Sequence, residues 1–224
     1  MRLKVSIVIP TMNEESSIGQ VLDIVRDTMR SARHEFEILV VDTDSKDRTR
    51  EIAREKGAIV VEEPRRGYGR AYKTGFEKAT GDIVATLDAD CTYPAEDIPR
   101  LSERLIAEEL DFISTNRMAR MEEGAMSTTH RFGNWVLNVT TKMLFGVSFK
   151  DSQSGMWVFR RDSFAELDVK EDGMPFSEEI KIEAFRKLKA IEVPITYKCR
   201  VGEVKLSSWK DGWKNFKFLW KKRF

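Results

Sequence analysis

Lys4 to Ile9, Glu37 to Val41, Ala58 to Val61 and Ile83 to Leu87 are short, nearly continuous apolar runs rich in Val and Ile. Runs too short for a helix and without polar alternation suit strands buried on both faces of a parallel sheet. Between them the apolar residues fall at helical spacing. Ile18, Val21, Leu22 and Val25 form one such stripe, with Ser16 or Ser17 as its N-cap, and further helices are expected over 49–56, ended by Gly57, and over 69–79. Four strands alternating with three helices give right-handed βαβ units, and so a doubly wound α/β sheet. Beyond it we expect a helix over 96–109, a strand over 112–115, a polar loop rich in Met and Arg, and a helix over 132–145. A Ser-Gly turn at 151–155, a helix over 177–188 and a strand over 191–197 follow. No linker, repeat or low-complexity stretch divides them, so 1–208 reads as one domain, with 209–224 as a separate C-terminal segment.

Ligands on such sheets bind at the carboxyl ends of the strands. Polar clusters stand at three of those ends: Asn13 and Glu14 after the first run, Asp42 and Asp44 after the second, Asp88 and Asp90 after the fourth. Two carboxylates one residue apart, as in Asp88-Ala89-Asp90, can face a hard divalent cation that keeps positions free for phosphate oxygens. Such a cation stabilises a diphosphate leaving group. The plain alternative is an Asx-type turn that ends a strand. Side chains with two acceptors, as at Asp42, Asp44, Asn13 and Glu14, suit a ribose diol or a base edge, and helix capping by Ser45, Asp47 or Ser16 is compatible with that role. In Arg65-Arg66-Gly67-Tyr68-Gly69-Arg70 the glycines permit close backbone approach and Arg70 suits a phosphate; a surface turn is the bland account.

Composition narrows the class. With 38 Lys and Arg against 37 Asp and Glu, the net charge of +1 argues against a nucleic-acid binder working by phosphate neutralisation, and 41% hydrophobic residues exclude disorder. Two cysteines cannot build a disulfide framework, which favours a reducing compartment. The first residues enter a strand pattern instead of a signal peptide, and no apolar stretch reaches membrane-spanning length, so the chain is expected to be cytoplasmic, soluble or peripheral.

In order along the chain, Val5-Ser6-Ile7-Val8-Ile9-Pro10-Thr11-Met12-Asn13-Glu14, Val40-Val41-Asp42-Thr43-Asp44-Ser45-Lys46-Asp47, Gly67-Tyr68-Gly69-Arg70-Ala71 and Leu87-Asp88-Ala89-Asp90 resemble the motifs of family 2 glycosyltransferases. The resemblance implies the GT-A fold, a Rossmann-like doubly wound, mostly parallel sheet flanked by helices. It also implies a nucleotide-sugar donor bound by Pro10, Thr11, Glu14 and Asp42, with Mg²⁺ or Mn²⁺ on Asp88 and Asp90. Asn13, Asp44, Gly67, Gly69, Arg70 and Ala89 fall in the same motifs and are assigned to the donor site with them. Asp151-Ser152-Gln153-Ser154-Gly155-Met156, Ser177-Glu178-Glu179 and the segment Arg200 to Ser207 are similar to dolichyl-phosphate mannosyltransferases and their polyprenyl-phosphate relatives. Where some members place a Gln metal ligand three residues past the second aspartate, this chain has Tyr93, which is not an equivalent ligand.

The later residues make chemical sense on that footing. Arg117, Arg120, His130 and Arg131 are cations suited to an anionic acceptor such as a lipid phosphate, the alternative being a solvated loop. Lys205 and Arg200 are suited to the donor diphosphate, or to a charged edge strand. Asp151, Glu178 and Glu179 are the general-base candidates, with helix capping as the structural alternative for the glutamates. Trp209, Trp213, Phe216 and Trp220 form one face of an amphipathic helix with Lys210, Lys214, Lys217 and Lys221 beside it. Such a helix suits an anionic membrane interface, or it packs its tryptophans on the protein's own core.

The expected activity is inverting transfer of a hexose, mannose from GDP-mannose first and glucose from UDP-glucose second, onto dolichyl or polyprenyl phosphate. It would take place at the cytoplasmic face of a membrane. A hydroxyl acceptor in glycan synthesis and a catalytically silent membrane adaptor are the alternatives. A separate membrane-anchoring subunit and self-association both stay open, and no nucleic-acid partner is expected.

Overall fold

The computed structural model describes residues 4–202 and 208–224, the side chains of 208–211 excepted. The elements run β1 (Lys4–Thr11), α1 (Ile18–Ser31), β2 (Glu35–Asp42), α2 (Thr49–Glu55), β3 (Ile59–Glu62), α3 (Tyr68–Lys78), β4 (Ile83–Thr86), α4 (Ile98–Ala107) and β5 (Phe112–Met121). They continue with α5 (Thr128–Phe145), β6 (Trp157–Arg160), α6 (Phe176–Lys187), β7 (Ala190–Tyr197) and α7 (Ser208–Arg223). One seven-stranded sheet orders them β3-β2-β1-β4-β6-β5-β7.

The four runs of the first half pair in parallel, with β1 between β2 and β4. Side chains of β1 alternate between faces: Val5, Ile7 and Ile9 join one core with α1 and α4, while Val8 joins a second with α3 and α6. Burial on both faces is why these strands read as continuous apolar runs. The second half departs from expectation. β6 is antiparallel to both β4 and β5, so the sheet is mostly, not wholly, parallel. β5 runs on past Thr115 to Met121, with a register break between Asn116 and Arg120, so the first six residues of the expected polar loop are strand.

Helix starts also differ in detail. Neither Ser16 nor Ser17 caps α1 through its side chain; Ser17 Oγ donates back to the Glu14 carbonyl at 3.4 Å. Asp47 does cap locally, accepting from the Thr49 amide at 3.0 Å, whereas Ser45 turns its hydroxyl toward Asp42. α5 begins four residues before the expected start, with Ser127 Oγ accepting from the His130 amide.

A third cluster, Leu137, Val147, Phe149, Ile182, Phe218 and Leu219, joins α5, α6 and α7. The C-terminal segment is therefore a helix packed on the body. Its packed face is Asn215, Phe218 and Leu219, whereas Trp213 and Trp220 are exposed, so these two tryptophans do not pack on the core. Among the described residues no helix is long and apolar enough to cross a membrane.

Candidate active site

Strand direction gathers the polar clusters. β1, β2 and β4 end at one edge of the sheet, and because β6 is antiparallel to its neighbours, the Asp151–Gly155 loop that precedes it meets that edge too. β5 and β7 run parallel to each other and deliver Arg117 and Arg200 to the same side. Sequence order scatters these residues over about 190 positions, and sheet pairing makes them neighbours.

On the β1–β2 side, Asp42 is buried and accepts hydrogen bonds from Thr11 Oγ1 at 3.1 Å and from the Ser45 amide at 3.0 Å. Asn13 and Asp44 adopt left-handed backbone conformations, with φ of 56° and 64°, the tight turns that Asn and Asp tolerate best. Asn13 Oδ1 accepts the Lys46 amide at 2.7 Å, which locks the β1 turn to the β2 turn. Asp44 carries an ion pair with Lys46, and Pro10 pairs in register with Val41 inside the sheet. Thus Thr11, Glu14 and Asp42 stand where β1 and β2 end, and Asn13 and Asp44 shape the turns that follow.

The motif around Gly67 is used differently from the phosphate approach expected of it. A Cβ at Gly67 would come within 2.3 Å of the Asp172 carbonyl oxygen, and one at Gly69 within 2.5 Å of Phe176 Cβ. These glycines let the start of α3 lie against the chain's own 171–176 segment. Arg70 and Arg65 both reach the buried carboxylate of Glu63, at 3.2 and 2.7 Å. Hydrogen bonding from Arg65 holds Glu63 well below the usual carboxylate range.

At the end of β4, Asp88 meets two tyrosines, with a third nearby. Tyr68 and Tyr72 donate to Asp88 Oδ1 at 3.2 and 3.3 Å, and Tyr93 Oη accepts the Gly155 amide at 2.7 Å. Burial raises both donor phenols, so they stay protonated. A Cβ at Gly155 would sit 2.2 Å from Tyr68 Oη, so only glycine lets the loop close on this cluster. Tyr93 therefore ties the D-x-D turn to the Asp151–Gly155 loop, and Ala89 packs its methyl into the core between the two aspartates. Asp90 pairs with Arg200 at 2.9 Å, and Arg200 also lies 3.6 Å from Glu14.

This site fits a divalent cation. Burial first, and the charge of Asp90 second, push Asp88 up to about 7, against the opposing charge of Arg117. Two carboxylates that cannot comfortably both ionise are a place where positive charge is wanted. Among the described residues no third His, Cys, Asp or Glu joins the two aspartates. Lys205 lies outside the described residues.

Arg117 stands across from this pair. Its Nε and Nη2 donate bidentately to Asp151 at 2.8 Å each, its backbone amide donates to the same carboxylate, and its guanidinium lies 5.2 Å from the Tyr197 ring centroid. Burial alone would raise Asp151, but the charge and hydrogen bonds of Arg117 win and hold it below the ordinary aspartate value. Arg131 sits exposed in the first turn of α5. Glu179 is committed elsewhere: Oε2 accepts the Lys170 and Glu171 amides at 2.9 and 2.7 Å, and Oε1 pairs with Lys222 at 3.0 Å.

The model of the family described as glycosyl transferase family 2 matches residues 6–168. The chain belongs to that family. It is 39% identical over 217 residues to the low-salt glycan biosynthesis hexosyltransferase Agl6 of Haloferax volcanii, covering 96% of this chain and 52% of the relative. It is 36% identical over 208 residues to a dolichyl-phosphate hexose transferase of the same organism, covering 92% of this chain and 88% of the relative. The chain thus spans about half of one of these relatives and most of the other. In fold it is similar to glucosyl-3-phosphoglycerate synthase from Mycobacterium tuberculosis in complex with Mn²⁺, UDP and glucosyl-3-phosphoglycerate. That match has a TM-score of 0.78 at 20% identity and covers 99% of this chain and 80% of the other. The architecture is the GT-A fold of family 2 glycosyltransferases.

Behind the site this family 2 chain buries two ionisable groups, the general-base candidate Glu178 and Lys181, which the sequence reading did not single out. Glu178 and Lys181, on the first turns of α6, are fully buried, and Lys181 Nζ donates to the Asp151 carbonyl at 2.7 Å. Burial pushes Glu178 up to about 8, overcoming the opposing pull of Lys181 and Gln153. A helix start with two glutamates reads as a pair of caps or bases, and no pattern in it marks burial. Because the folded-state value lies above the unfolded one, Glu178 costs stability between about pH 4.5 and pH 8, increasingly as pH rises. Glu178→Gln should therefore raise the thermal midpoint at pH 7.5, by an amount worth up to about 4 kcal/mol, and change it little near pH 4.5. Thermal melts of both proteins across that range test it, and parallel curves would refute the buried neutral carboxyl.

Proposed function

We propose that this chain moves a hexose from a nucleotide sugar onto the phosphate of a dolichyl or polyprenyl lipid, with inversion at the anomeric carbon. One observation carries the reading: the carboxylate best placed to act as a base, Asp151, is spent as the partner of Arg117. A hydroxyl acceptor must lose a proton, and a carboxylate held below its ordinary value by a bidentate arginine is poorly suited to take it. A phosphate acceptor arrives ionised and needs only a fixed cation.

Asp88 and Asp90 would hold Mg²⁺ or Mn²⁺, which supplies charge neutralisation to the departing diphosphate. Thr11, Glu14 and Asp42 would frame the nucleoside, with Pro10 beneath it and Asn13 and Asp44 fixing the turns. Arg200, released from Asp90, and Lys205 would add positive charge at the diphosphate. Gly67, Gly69 and Arg70 would support the site through the 171–176 segment and Glu63. Arg117 and Arg131 would hold the acceptor phosphate for in-line attack, where positioning and charge provide most of the rate. Mannose from GDP-mannose is the donor proposed first, glucose from UDP-glucose second. The work would take place peripherally at the cytoplasmic face of a membrane.

Purified protein with Mn²⁺, a short polyprenyl phosphate in detergent, and radiolabelled GDP-mannose or UDP-glucose in parallel tests this reading. Label should pass into the organic phase with one donor. Nucleotide binding without transfer would move the assignment to a hydroxyl acceptor, and absence of metal-dependent nucleotide binding would favour the adaptor.

A further inference from the structure

Tyr72 of α3 is fully buried, and four other rings hold its ring in place: Tyr68 edge-on at 4.9 Å between centroids, Trp157 at 5.1 Å, Phe76 at 5.7 Å and Phe176 stacked at 6.0 Å. Its hydroxyl oxygen therefore has a fixed place, and the proton it carries is free to turn. That oxygen lies 3.3 Å from Asp88 Oδ1, 3.4 Å from the Gly155 carbonyl oxygen and 3.5 Å from the Leu87 carbonyl oxygen, beside the Tyr68 hydroxyl. Hydroxyl hydrogen bonds settle near about 2.7–2.8 Å, so all three are long, and one proton serves only one acceptor well. A small shift commits it.

Two of these acceptors belong to different halves of the site. Asp88 is on the donor side and already accepts from Tyr68 at 3.2 Å. Gly155 ends the loop whose Asp151 holds Arg117. Its amide donates to Tyr93 Oη at 2.7 Å, and its carbonyl accepts from Thr86 Oγ1 at 2.7 Å. A carbonyl oxygen has two lone pairs, so a second donor fits there. The neighbouring Ser154 shares a 2.7 Å hydrogen bond with Thr115, and the Gln153 amide donates to Asp151 Oδ1 at 3.2 Å. Contacts thus run without a gap from Gly155 back to the Asp151–Arg117 pair.

We propose that Tyr72 is a positioning residue that couples the two halves. Its hydroxyl donates to Asp88 while the D-x-D turn is empty, and to the Gly155 carbonyl once Asp88 carries a divalent cation, which firms the Asp151 loop and sets Arg117 for the acceptor. The coupling rests on the reading of Asp88 and Asp90 as cation ligands. Competition for Oδ1 drives the exchange: a carboxylate oxygen beside a bound cation is a poorer acceptor for a phenol, whereas the Gly155 carbonyl is unchanged. Neither state leaves the buried hydroxyl unpaired, so the exchange avoids the cost of an orphaned polar group. Tyr68 serves Asp88 alone, since among the described residues it makes no hydrogen bond to Gly155.

Hydrogen exchange of residues 151–156, with Mn²⁺ and UDP as the probe and calorimetry reporting their binding, tests the coupling without any transfer reaction. In wild type, saturating Mn²⁺ and UDP should slow exchange of the Gly155 amide about tenfold and raise the affinity for a short polyprenyl phosphate by a similar factor. Tyr72→Phe keeps the ring packing, so it should melt close to wild type and still bind Mn²⁺ and UDP, but lose both effects. Tyr68→Phe removes a bond to the same Asp88 oxygen and should keep them. Wild-type slowing in Tyr72→Phe would overturn the proposal, as would a wild-type loop whose exchange ignores bound Mn²⁺ and UDP. Loss of slowing in both variants would overturn it too, since the tyrosines would then only hold Asp88 in place. Slowing without any lipid-phosphate binding would sink the acceptor assignment and leave the coupling standing. If calorimetry shows no Mn²⁺-dependent UDP binding, the cation-site reading fails and the coupling with it.

Discussion

Asp90→Asn should abolish transfer while leaving the protein folded. Asp90 Oδ1 accepts from the Thr92 amide and hydroxyl, at 3.1 and 2.6 Å, and an asparagine oxygen keeps both bonds. What the substitution removes is charge. With Asp90 neutral, the pair can no longer offer two carboxylates to a divalent cation, and the diphosphate would leave without its largest neutralising charge. A loss of 10³-fold or more in kcat/KM, on the order of 4 kcal/mol of transition-state stabilisation, is expected. Stability should change little. Asp88 loses the like charge that helps push it up to about 7, which compensates for the ion pair lost to the part-exposed Arg200. Calorimetric titration with Mn²⁺ and UDP, followed by the transfer assay, checks both halves. Retained Mn²⁺-dependent nucleotide binding would show that the cation is held elsewhere.

The second large effect should come from Asp151→Ala, and it should be structural before it is catalytic. Removing this carboxylate leaves the Arg117 guanidinium buried beside the Tyr197 ring without its bidentate partner. Breaking a buried pair from one side costs about 3–5 kcal/mol, here a drop of roughly 10 °C in melting temperature. Replacing both residues at once, Arg117→Leu with Asp151→Leu, should restore most of that stability but none of the transfer to a lipid phosphate. Calorimetry of the single and double variants, with transfer assays on each, separates the two contributions. A single variant that melts normally and merely loses activity on a hydroxyl acceptor would return Asp151 to the role of general base.

The parts of this molecule legible in the sequence are those dictated by local physics. Strands buried on both faces need unbroken apolar runs, so β1 to β4 stood out, and parallel order followed from the helices between them. The strand ends then located Asp42, Asp88 and Asp90, because a doubly wound sheet opens its crevice there. β6 gave no such signal. Trp-Val-Phe-Arg is four residues long, and its partners lie some 70 and 45 positions away in β4 and β5. Only pairing over that distance turned the Asp151–Gly155 loop toward the D-x-D turn and set Gly155 against Tyr68.

The same division holds for charge and exposure. Sequence periodicity predicted an amphipathic α7, but not which of its faces the body would take. Packing took the side of Asn215, Phe218 and Leu219 and left Trp213 and Trp220 outside. Acidic residues at the start of α6 read as general-base candidates or helix caps, yet Glu178 is buried and Glu179 is bound to backbone amides, since α6 is surrounded by the sheet, α5 and α7. Sequence determines what each segment does alone, because propensity and hydrophobic period act over a few residues. Tertiary structure decided which carboxylates gather at the sheet edge, which pair with an arginine and which are buried, because those choices depend on contacts between segments far apart in the chain.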